Sequence, residues 1–515
     1  EGSSIMQERS HAFAMKSQIW LLDPKPNLPD IVAAVKHGFA LSEASHTPVM
    51  LMLRIRACHV HGEFVTSANV KPTFTLQQAL DHPQRDTSRI VLPPASFQHE
   101  KEKLQQRWPA AVRYITEHGL NEFVADGAGD VGLIVQGGHY NTLVRVLERL
   151  GLADVYGRSQ LPLYVMNVAY PLVDAELLRF ASGKRALLVV EEGQPNFIEQ
   201  NIATVLRAAG ASAALHGKDC LPACGEYTAA EVLAGVRHFL QRYALLPPDA
   251  VPAPVAALPL QGQVQARPPG FCTGCPERPI FTAMKLVERE LGVHHVSADI
   301  GCHLFSILPP FNLGNTTMGY GLGAAGAAAL NTSGGKRAIS VMGDGGFWHN
   351  GLTSGIANAV FNKSDNLTVI VDNSYTSATG GQDILSSKAA NPSRSTGHAI
   401  EKAVRGVGVE WVRTVTHTYD LAQMKAALKD ALTSREKGPK VLVAQSECML
   451  NRQRREKPLQ RQAIASGQRV VRERFGVDPD TCTGDHSCIR LSGCPSLGIA
   501  PNPDPLRTDP VAQVV

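Results

Sequence analysis

The stretch that decides the fold is AISVMGDGGFWHNGLTSGIANAVFNKSDNLTVIVDNSYTSATGG, residues 338–381. It contains a hydrophobic strand that ends at Gly343, a predicted helix, and a second hydrophobic strand that ends at Asn373. Strand–helix–strand order predicts parallel neighbours in an α/β sheet, and the carboxyl ends of such strands meet at one edge, where ligands bind. The stretch therefore predicts a ligand site at the edge of a parallel sheet.

The residues at this edge suit a diphosphate and a divalent cation. Asp344 offers a carboxylate and Asn373 an amide oxygen, and Mg²⁺ takes such oxygens together with phosphate oxygens. The glycines beside Asp344 let backbone N–H groups approach a diphosphate next to a helix start. A lone GDG in a turn is common, so the prediction depends on the strand–helix–strand context.

Composition and charge fit α/β layers and argue against other classes. The chain has 515 residues, of which 44% are hydrophobic and 19% charged. A chain of this length is expected to form several domains. The formal net charge of +4 gives no support to nucleic-acid or membrane partners. No apolar run reaches the ~18 residues of a membrane span and no secretory signal is visible, so a cytoplasmic location is expected.

Four of the ten cysteines fall in the same predicted domain as the GDG motif. Cys272 and Cys275 form C-x2-C, Cys302 lies in ADIGCHLF, and Cys448 follows the last strand. A clustered pattern in a large α/β chain favours metal or redox chemistry over disulfides. Four thiolates are what a [4Fe–4S] cluster requires, and zinc or buried free thiols are the alternatives. The wide separation of the last two cysteines argues against zinc.

On these residues the chain resembles the thiamine-diphosphate enzymes, whose signature is GDG and a later N. More narrowly, it resembles the thiamine-dependent 2-oxoacid:ferredoxin oxidoreductases, and within them the indolepyruvate ferredoxin oxidoreductase large (alpha) subunit. FCTGCPERP is similar to that family's CPGCPHR, ADIGCHLF to its GDIGCYTL, and ATGGQ to its MTGHQ. TPVMLMLRIRACHVHG, NVAYPL and LLVVEEGQPNFIEQ also resemble family elements, so the resemblance spans residues 20–515.

The resemblance implies a role for particular residues. The implied cofactor-binding residues are Gly301, Cys302, Met318, Gly343, Asp344, Gly345, Gly346, Asn373, Tyr375, Thr379 and Gly380. The implied Mg²⁺ ligands are Asp344, Asn373 and the backbone oxygen of Tyr375, and a proximal [4Fe–4S] cluster is implied on Cys272, Cys275, Cys302 and Cys448. The implied catalytic residues are Arg56, His59 and His303, with the Arg56 guanidinium suited to a 2-oxoacid carboxylate. Glu277 replaces a family His and His303 replaces a family Tyr, so the resemblance does not define the details of the substrate pocket.

The stretch CTGDHSC, followed by Cys494-Pro495, looks like the start of a bacterial ferredoxin motif. Asp485 stands where the second cysteine is expected. By the resemblance, Cys482, Asp485 and Cys488 face one cluster and Cys494 serves a second, with the partner cysteines expected beyond Val515. The expected form of the first site is an Asp-ligated [4Fe–4S] or a [3Fe–4S] cluster, and decay of the motif is the alternative.

The resemblance implies an α/β, multidomain fold: doubly wound thiamine-diphosphate-binding domains, a transketolase-C-terminal-like domain and the start of a ferredoxin-like domain. The predicted segments are the C-terminal part of a pyrimidine-binding thiamine domain (1–95), a connection (96–128), the transketolase-C-terminal-like α/β domain (129–245), a Pro-rich linker (246–263), the diphosphate-binding domain with the proximal cluster (264–455), a basic linker (456–475) and the ferredoxin-like start (476–515). Both ends look like edges of a larger polypeptide. The glutamate that activates the cofactor is expected before residue 1 or on another chain.

Five further residues draw attention through their chemistry. Cys58, Cys220 and Cys224 have no partner pattern and are predicted to be buried free thiols. Glu191 and Glu192 end a predicted strand, and a helix-capping or interdomain role is expected for them.

The implied activity is oxidative decarboxylation of an aryl 2-oxoacid: indolepyruvate, phenylpyruvate or hydroxyphenylpyruvate. Electrons pass through the clusters to ferredoxin and the acyl group to CoA, in an α2β2 assembly with a smaller gamma-type subunit. Three alternatives stay open: water as acyl acceptor, a non-oxidative thiamine-dependent decarboxylase or carboligase, and a non-catalytic electron-transfer or scaffold subunit.

Overall fold

The structure is a computed structural model that describes residues 10–55, 57–125, 129–247, 269–330, 335–388 and 392–514. The chain divides into two compact units, residues 1–259 and residues 260–515. The division falls inside the segment 246–263 that the sequence predicts as a Pro-rich linker, and most of that segment lies outside the described residues.

The first unit is a mixed α/β structure. Its strands are β1 (Trp20–Leu22), β2 (Val49–Leu51), β3 (Glu122–Val124), β4 (Val131–Gln136), β5 (Leu163–Met166), β6 (Val168–Tyr170), β7 (Ala186–Val190) and β8 (Ala214–His216). Its helices are α1 (Ser10–Ser17), α2 (Leu28–Ser45), α3 (Leu76–Asp81), α4 (Ala95–Glu102), α5 (Trp108–Glu117), α6 (Tyr140–Arg149), α7 (Asp174–Ala181), α8 (Phe197–Ala208) and α9 (Ala229–Arg242).

Two sheets organise this unit. One has the order β3-β5-β4-β7-β8 and is parallel except for β3 at its edge. The other has the order β2-β1-β6, with β6 antiparallel to β1. The segments 1–95 and 129–245 therefore share a sheet through β1 and β6.

The predicted strand LPLYVMNVAYPL is two strands in different sheets, β5 and β6, which separate at Asn167. The Asn167 side-chain amide donates hydrogen bonds to the Leu120 oxygen (2.9 Å) and to Oε1 of Glu122 (2.8 Å), and the Asn167 backbone oxygen accepts from the Asp23 N–H (2.8 Å). These contacts satisfy the polar groups of Asn167 at the point where the chain leaves the larger sheet.

The second unit is built on one six-stranded sheet. Its strands are β9 (Val296–Ala298), β10 (Thr316–Thr317), β11 (Ile339–Gly343), β12 (Leu367–Asp372), β13 (Trp411–Val415) and β14 (Lys440–Gln445), in the order β10-β9-β11-β12-β14-β13, and all neighbouring pairs are parallel. Its helices up to this point are α10 (Arg278–Leu291), α11 (Gly323–Ala329), α12 (Asp344–Gly346), α13 (Asn358–Phe361), α14 (Ile400–Gly406) and α15 (Leu421–Thr433).

Helices cover both faces of this sheet. The side chains of Val341 and Val369 pack into the cluster that contains residues of α10 and α15, whereas Met342 and Ile370 pack into the cluster that contains residues of α14. Successive side chains of a strand point to opposite faces, so strands buried on both sides are apolar throughout. This arrangement places the polar residues that follow β11 and β12 at the carboxyl edge of the sheet.

The C-terminal part of the second unit begins with α16 (Met449–Ala465), which occupies much of the segment predicted as a basic linker. Then come α17 (Ser487–Ser492) and an antiparallel pair of strands, β15 (Leu497–Ala500) and β16 (Val511–Val514). Among the residues that the structure describes, no helix is both long and apolar enough to cross a membrane.

Candidate cofactor and cluster site

Three oxygen donors converge where β11 and β12 end. Asp344 is buried at the start of α12, and its Oδ2 accepts a hydrogen bond from the backbone N–H of Tyr375 at 3.1 Å. The hydroxyl of Ser377 lies 3.3 Å from Oδ1 of Asn373 and 3.1 Å from the Tyr375 carbonyl oxygen. Because one hydroxyl reaches both oxygens, they face a common point beside the Asp344 carboxylate.

The donor set fits a hard divalent cation. It consists of a carboxylate, an amide oxygen and a backbone carbonyl, which are ligands that Mg²⁺ takes together with phosphate oxygens. Burial and then the like charge of Asp372 raise the pKa of Asp344 well above its usual range. A cation beside Asp344 would offset both effects, because it favours the ionised carboxylate.

The glycines next to Asp344 differ in what surrounds them. A Cβ on Gly345 would collide with the hydroxyls of Tyr320 and Thr376, so this glycine is needed by the packing of the protein itself. A Cβ on Gly343 would have no nearer neighbour than Nδ1 of His303, at 3.8 Å. The end of β11 is therefore open at Gly343, which fits the approach of a phosphate group to the backbone.

The four cysteines predicted to hold a proximal cluster come together next to this edge. The Cys302 thiol is within electrostatic range of Cys448 and Cys272, and the Cys275 thiol is within range of Cys302 and Cys272. Burial, followed by the Glu277 carboxylate, raises the pKa of Cys302 to about 12. Cys275 and Cys448 are buried and Cys272 is exposed.

The spacing of these thiols bears on the choice between zinc and an iron–sulfur cluster. Zinc bonded at ~2.3 Å to four sulfurs would draw them to within about 4 Å of one another. Among the described residues, no three of the four thiols lie within 4.8 Å of one another. The described thiols are therefore not drawn together as tightly as a four-cysteine zinc site would require.

Glu277, His303 and Asp299 form a buried group beside the cysteines. Burial raises the pKa of Glu277 to about 7, and its Oε2 has no hydrogen-bond partner. Burial alone would lower the pKa of His303, but the Asp299 carboxylate, which Nε2 contacts, outweighs it and raises that pKa. The second oxygen of Asp299 accepts from the Gly321 N–H at 2.7 Å. Asp299 is a site residue that sequence reasoning missed, although it lies in the ADIGCHLF stretch.

The remaining predicted cofactor residues lie around this centre. Gly301 packs against the His303 ring, and the Met318 N–H donates to the Ala298 oxygen at 2.9 Å. Thr379 and Gly380 lie on an exposed turn, where the Thr379 hydroxyl donates to Gln382 at 2.8 Å.

Two residues of the first unit, Arg56 and His59, are predicted to bind substrate. His59 is exposed in a short 3-10 turn, and Arg56 lies outside the described residues. Arg54, which the sequence did not single out, is buried and pairs with Asp23 (2.9 Å) and Glu192 (3.3 Å). Glu192 also lies 3.4 Å from Nε2 of His139. The sequence signal for this network was weak, because Arg54 is one of two arginines in an apolar run.

Glu191 caps a helix, as predicted. Its two carboxylate oxygens accept from the backbone N–H groups of Ile198 (3.1 Å) and Glu199 (2.9 Å) at the start of α8. The prediction that the unassigned cysteines are buried is wrong for Cys58 and Cys224, which are exposed.

Cys220 is half-buried and lies with His216 and Asp219 in a group compact enough for one metal ion. The group already has partners, because Nδ1 and Nε2 of His216 bond Asp219 (2.6 Å) and Tyr243 (2.7 Å). Arg242 also donates to Asp219 at 3.3 Å.

In the ferredoxin-like segment, Asp485 acts as a local hydrogen-bond acceptor. It accepts from the Thr483 hydroxyl (2.9 Å) and from the Ser487 N–H (3.2 Å) at the start of α17. The Ser487 and Thr483 hydrogen bonds lower the pKa of Asp485 to about 2. Cys482 and Cys494 are half-buried, and Cys488 is exposed.

One residue that sequence reasoning missed lies between the two sets of cysteines. The Arg278 guanidinium donates to the oxygens of Cys272 (3.2 Å) and Ser492 (2.8 Å). It also donates to the oxygens of Phe271 and Gly493. Its sequence signal was its place in FCTGCPERP, directly after the C-x2-C pair.

A family match covers the part of the chain that contains this edge of the sheet. Residues 299–444 match the family described as thiamine pyrophosphate enzyme, C-terminal TPP binding domain. The 2-oxoglutarate:ferredoxin oxidoreductase from Magnetococcus marinus is 17% identical in sequence, with 38% of this chain and 70% of that chain covered at a TM-score of 0.31.

Curated relatives cover more of the chain. The indolepyruvate oxidoreductase subunit IorA of Pyrococcus abyssi is 26% identical, over 99% of this chain and 77% of that protein. The subunit of the same name from Archaeoglobus fulgidus is 30% identical, over 89% of this chain and 68% of that protein. Identity of 30% over 89% of this chain and 68% of the relative makes the chain a member of the indolepyruvate oxidoreductase IorA-subunit family.

Proposed function

We propose that this chain carries the thiamine-diphosphate and iron–sulfur centres of an enzyme that oxidatively decarboxylates an aryl 2-oxoacid. The substrate class is indolepyruvate, phenylpyruvate or hydroxyphenylpyruvate, the acyl acceptor is CoA and the electron acceptor is ferredoxin. The family name supports the substrate class, because it names indolepyruvate. A smaller gamma-type subunit completes an α2β2 enzyme.

The observation that carries the proposal is the position of Cys302. Its thiol is within electrostatic range of two other cysteines of the group and also of Asp344, the carboxylate that holds the cation. A site that releases electrons from a 2-oxoacid needs an acceptor within reach, and a non-oxidative enzyme does not. The meeting of the two sites at Cys302 therefore favours the oxidative reaction over a decarboxylase or carboligase.

Thiamine diphosphate, when bound, supplies the carbon nucleophile and takes up the electron pair that decarboxylation leaves behind. The chain's own residues bind and orient it. Asp344, Asn373 and the Tyr375 carbonyl would hold the cation that neutralises the diphosphate, and the backbone at Gly343 would leave room for a phosphate group. The Asp299 carboxylate, which contacts Nε2 of His303, raises the pKa of His303 and so favours a positive charge beside the end of β11.

The cysteines of the second unit fall into two sets with different proposed roles. Cys272, Cys275, Cys302 and Cys448 would hold a [4Fe–4S] cluster that accepts electrons one at a time. Cys482, Asp485, Cys488 and Cys494 would hold the first part of the exit path towards ferredoxin. Because the Asp485 carboxylate already accepts from the Thr483 hydroxyl and the Ser487 N–H, it would have to exchange these hydrogen bonds for an iron ligand, which favours a three-iron cluster there.

The test is a screen of aryl 2-oxoacids with the anaerobically purified enzyme and its partner subunit, read out with a low-potential dye. Turnover that requires CoA supports the proposal, and CoA-independent release of the free arylacetate supports water as the acceptor instead. Full activity in protein that lacks iron and acid-labile sulfide would refute the oxidative reaction. Turnover that survives Asp344→Ala would show that this chain is not the catalytic one.

A further inference from the structure

Arg278 lies at the junction of two cysteine-bearing segments that are far apart in sequence. It is the first residue of α10 and directly follows the loop of Cys272 and Cys275. Its guanidinium donates to the Cys272 oxygen on one side and to the Ser492 oxygen on the other, across 214 residues of sequence. Further bonds reach the oxygens of Phe271 and Gly493.

The hydrogen bonds of Arg278 are expected to be stronger than hydrogen bonds between neutral groups. Arg278 is 7% exposed, so they form largely out of water. Hydrogen bonds from a charged donor contribute more to stability than neutral ones. The planar guanidinium presents five N–H donors in fixed directions, which a lysine ammonium does not match.

Neighbouring contacts fasten the same junction. The Thr282 hydroxyl, one turn further along α10, lies 3.1 Å from the Leu491 oxygen, and Ser496 Oγ lies 3.0 Å from Thr273 Oγ1. Gly493 adopts a φ of +55°, and a Cβ there would press on the Pro310 ring. The turn that precedes Cys494 is thus fitted closely against the start of α10.

The charge of Arg278 reaches cysteines of both sets. The guanidinium is within electrostatic range of the Cys275, Cys494 and Cys272 thiols. A fixed positive charge stabilises the reduced, more negative form of an iron–sulfur cluster, and so raises its reduction potential. Arg278 therefore both joins the two cysteine-bearing segments by hydrogen bonds and places a positive charge near their thiols.

We propose that Arg278 is a positioning residue for electron transfer: it holds the Leu491–Cys494 turn against the Cys272–Cys275 loop and raises the potential of the cluster beside it. The inference rests on the proposed function. Each electron would leave the site on Cys272, Cys275, Cys302 and Cys448, which is thereby oxidised, and enter the site on Cys494, which is reduced and then reoxidised by a one-electron acceptor protein.

The test combines hydrogen exchange with redox titration of the full-length enzyme. Arg278→Gln removes the charge and most of the donors, so amides of residues 488–494 should exchange about tenfold faster or more. The midpoint potential of the proximal cluster, followed by EPR, should fall. Arg278→Lys keeps the charge, so it should speed exchange but leave the potential near that of the wild type.

Two further variants serve as controls. Arg289→Gln removes an exposed arginine from the far end of α10 and should change neither measurement. Thr282→Val removes one contact to the turn without changing charge, so it should speed amide exchange and leave the midpoint potential unchanged. This variant tests the positioning role even if the Arg278 variants do not fold.

The outcomes separate the two proposals. Unchanged exchange and potential in Arg278→Gln overturn the positioning role, and an equal fall in potential in Arg278→Lys overturns the part assigned to charge. Hydrogen exchange does not require a bound cluster, so it can be measured whether or not the protein contains iron. Wild-type protein without iron overturns the proposed function, whatever the exchange result.

Discussion

The backbone N–H of Tyr375 donates a hydrogen bond to Oδ2 of Asp344, at 3.1 Å, and so ties the end of β12 to the start of the helix after β11. The two residues follow neighbouring parallel strands, in which Gly343, the last residue of β11, pairs with Val371 of β12. This bond fixes the distance between the carboxylate and the carbonyl of Tyr375. Two of the proposed cation ligands are therefore held together by the protein's own backbone at the edge of the sheet.

The first prediction concerns Asp344. Asp344→Asn should weaken binding of thiamine diphosphate with Mg²⁺ by about a hundredfold, because the cation loses its charged ligand. Titration of the apoprotein by calorimetry measures the change. Asp365→Asn is the matched control, since Asp365 pairs with Arg337 (2.8 Å) and Lys440 (2.9 Å) and is not assigned to the site. Equal loss of affinity in both variants would contradict the assignment.

A second prediction compares two glycines that are two residues apart. Gly345→Ala should destabilise the apoprotein by about 1–3 kcal/mol, because its Cβ overlaps the Tyr320 and Thr376 hydroxyls. Gly343→Ala should leave stability unchanged, because its Cβ makes only ordinary van der Waals contact with the His303 ring at 3.8 Å, and it should lower cofactor affinity, because the Cβ would stand where a phosphate approaches the backbone. Thermal unfolding and calorimetry read the two effects. Gly343→Ala with normal cofactor affinity would place the diphosphate elsewhere.

The third prediction concerns the proximal cluster. Cys448→Ser should remove about four iron atoms per chain, because a [4Fe–4S] cluster needs all its thiolates. Colorimetric iron and sulfide analysis of anaerobically purified protein measures the loss. Cys58→Ser changes an exposed cysteine of the first unit and should leave the iron content as it is. Loss of a single zinc ion instead of iron would mean that the thiols hold zinc.

Asp485 supports a fourth prediction. Asp485→Cys supplies the missing thiolate, so the EPR signal of an oxidised three-iron cluster should disappear and the iron content should rise. Asp485→Asn, which preserves the shape but not the charge, should retain the three-iron signal. If the wild type shows no cluster signal beyond the proximal one, Asp485 serves only as a local hydrogen-bond acceptor.

The fifth prediction is a pH dependence in the first unit. Burial opposes the ionised form of Glu192, but His139 and Arg54 outweigh it and lower the pKa of this carboxyl below its ordinary value of 4.5. A depressed pKa gives stability that is complete above pH 4.5 and is lost as the pH falls through the folded-state value. Glu192→Gln should cost about 3 kcal/mol at pH 7 and remove this acid dependence in urea unfolding. A variant that unfolds in acid like the wild type would disprove the link.

The cofactor edge was predictable because each of its signals is local. The strands β11 and β12 are continuous apolar runs, as strands buried on both faces must be, and the polar residues that follow them must lie at the same edge. The gathering of Cys272, Cys275, Cys302 and Cys448 followed from a resemblance to a family and not from spacing alone.

Other features depend on contacts between distant residues. The split at Asn167 is set by hydrogen bonds to Asp23, Leu120 and Glu122, which no local pattern reveals. The burial of Arg54 depends on Asp23 and Glu192, carried by other elements of the same unit. Arg278 could be read as part of a motif, but its bonds to the turn before Cys494 required the fold.

Cys272 is exposed, whereas Cys275 and Cys448 of the same group are buried. This asymmetry gives the group one corner open to solvent, where dissolved oxygen and chelators would arrive first. The cysteine that is most accessible to an external electron acceptor is thus also the one most accessible to oxidants. We expect air to damage Cys272 first, which mass spectrometry of the four cysteines during timed exposure measures, and oxidation that begins at Cys448 would contradict this order.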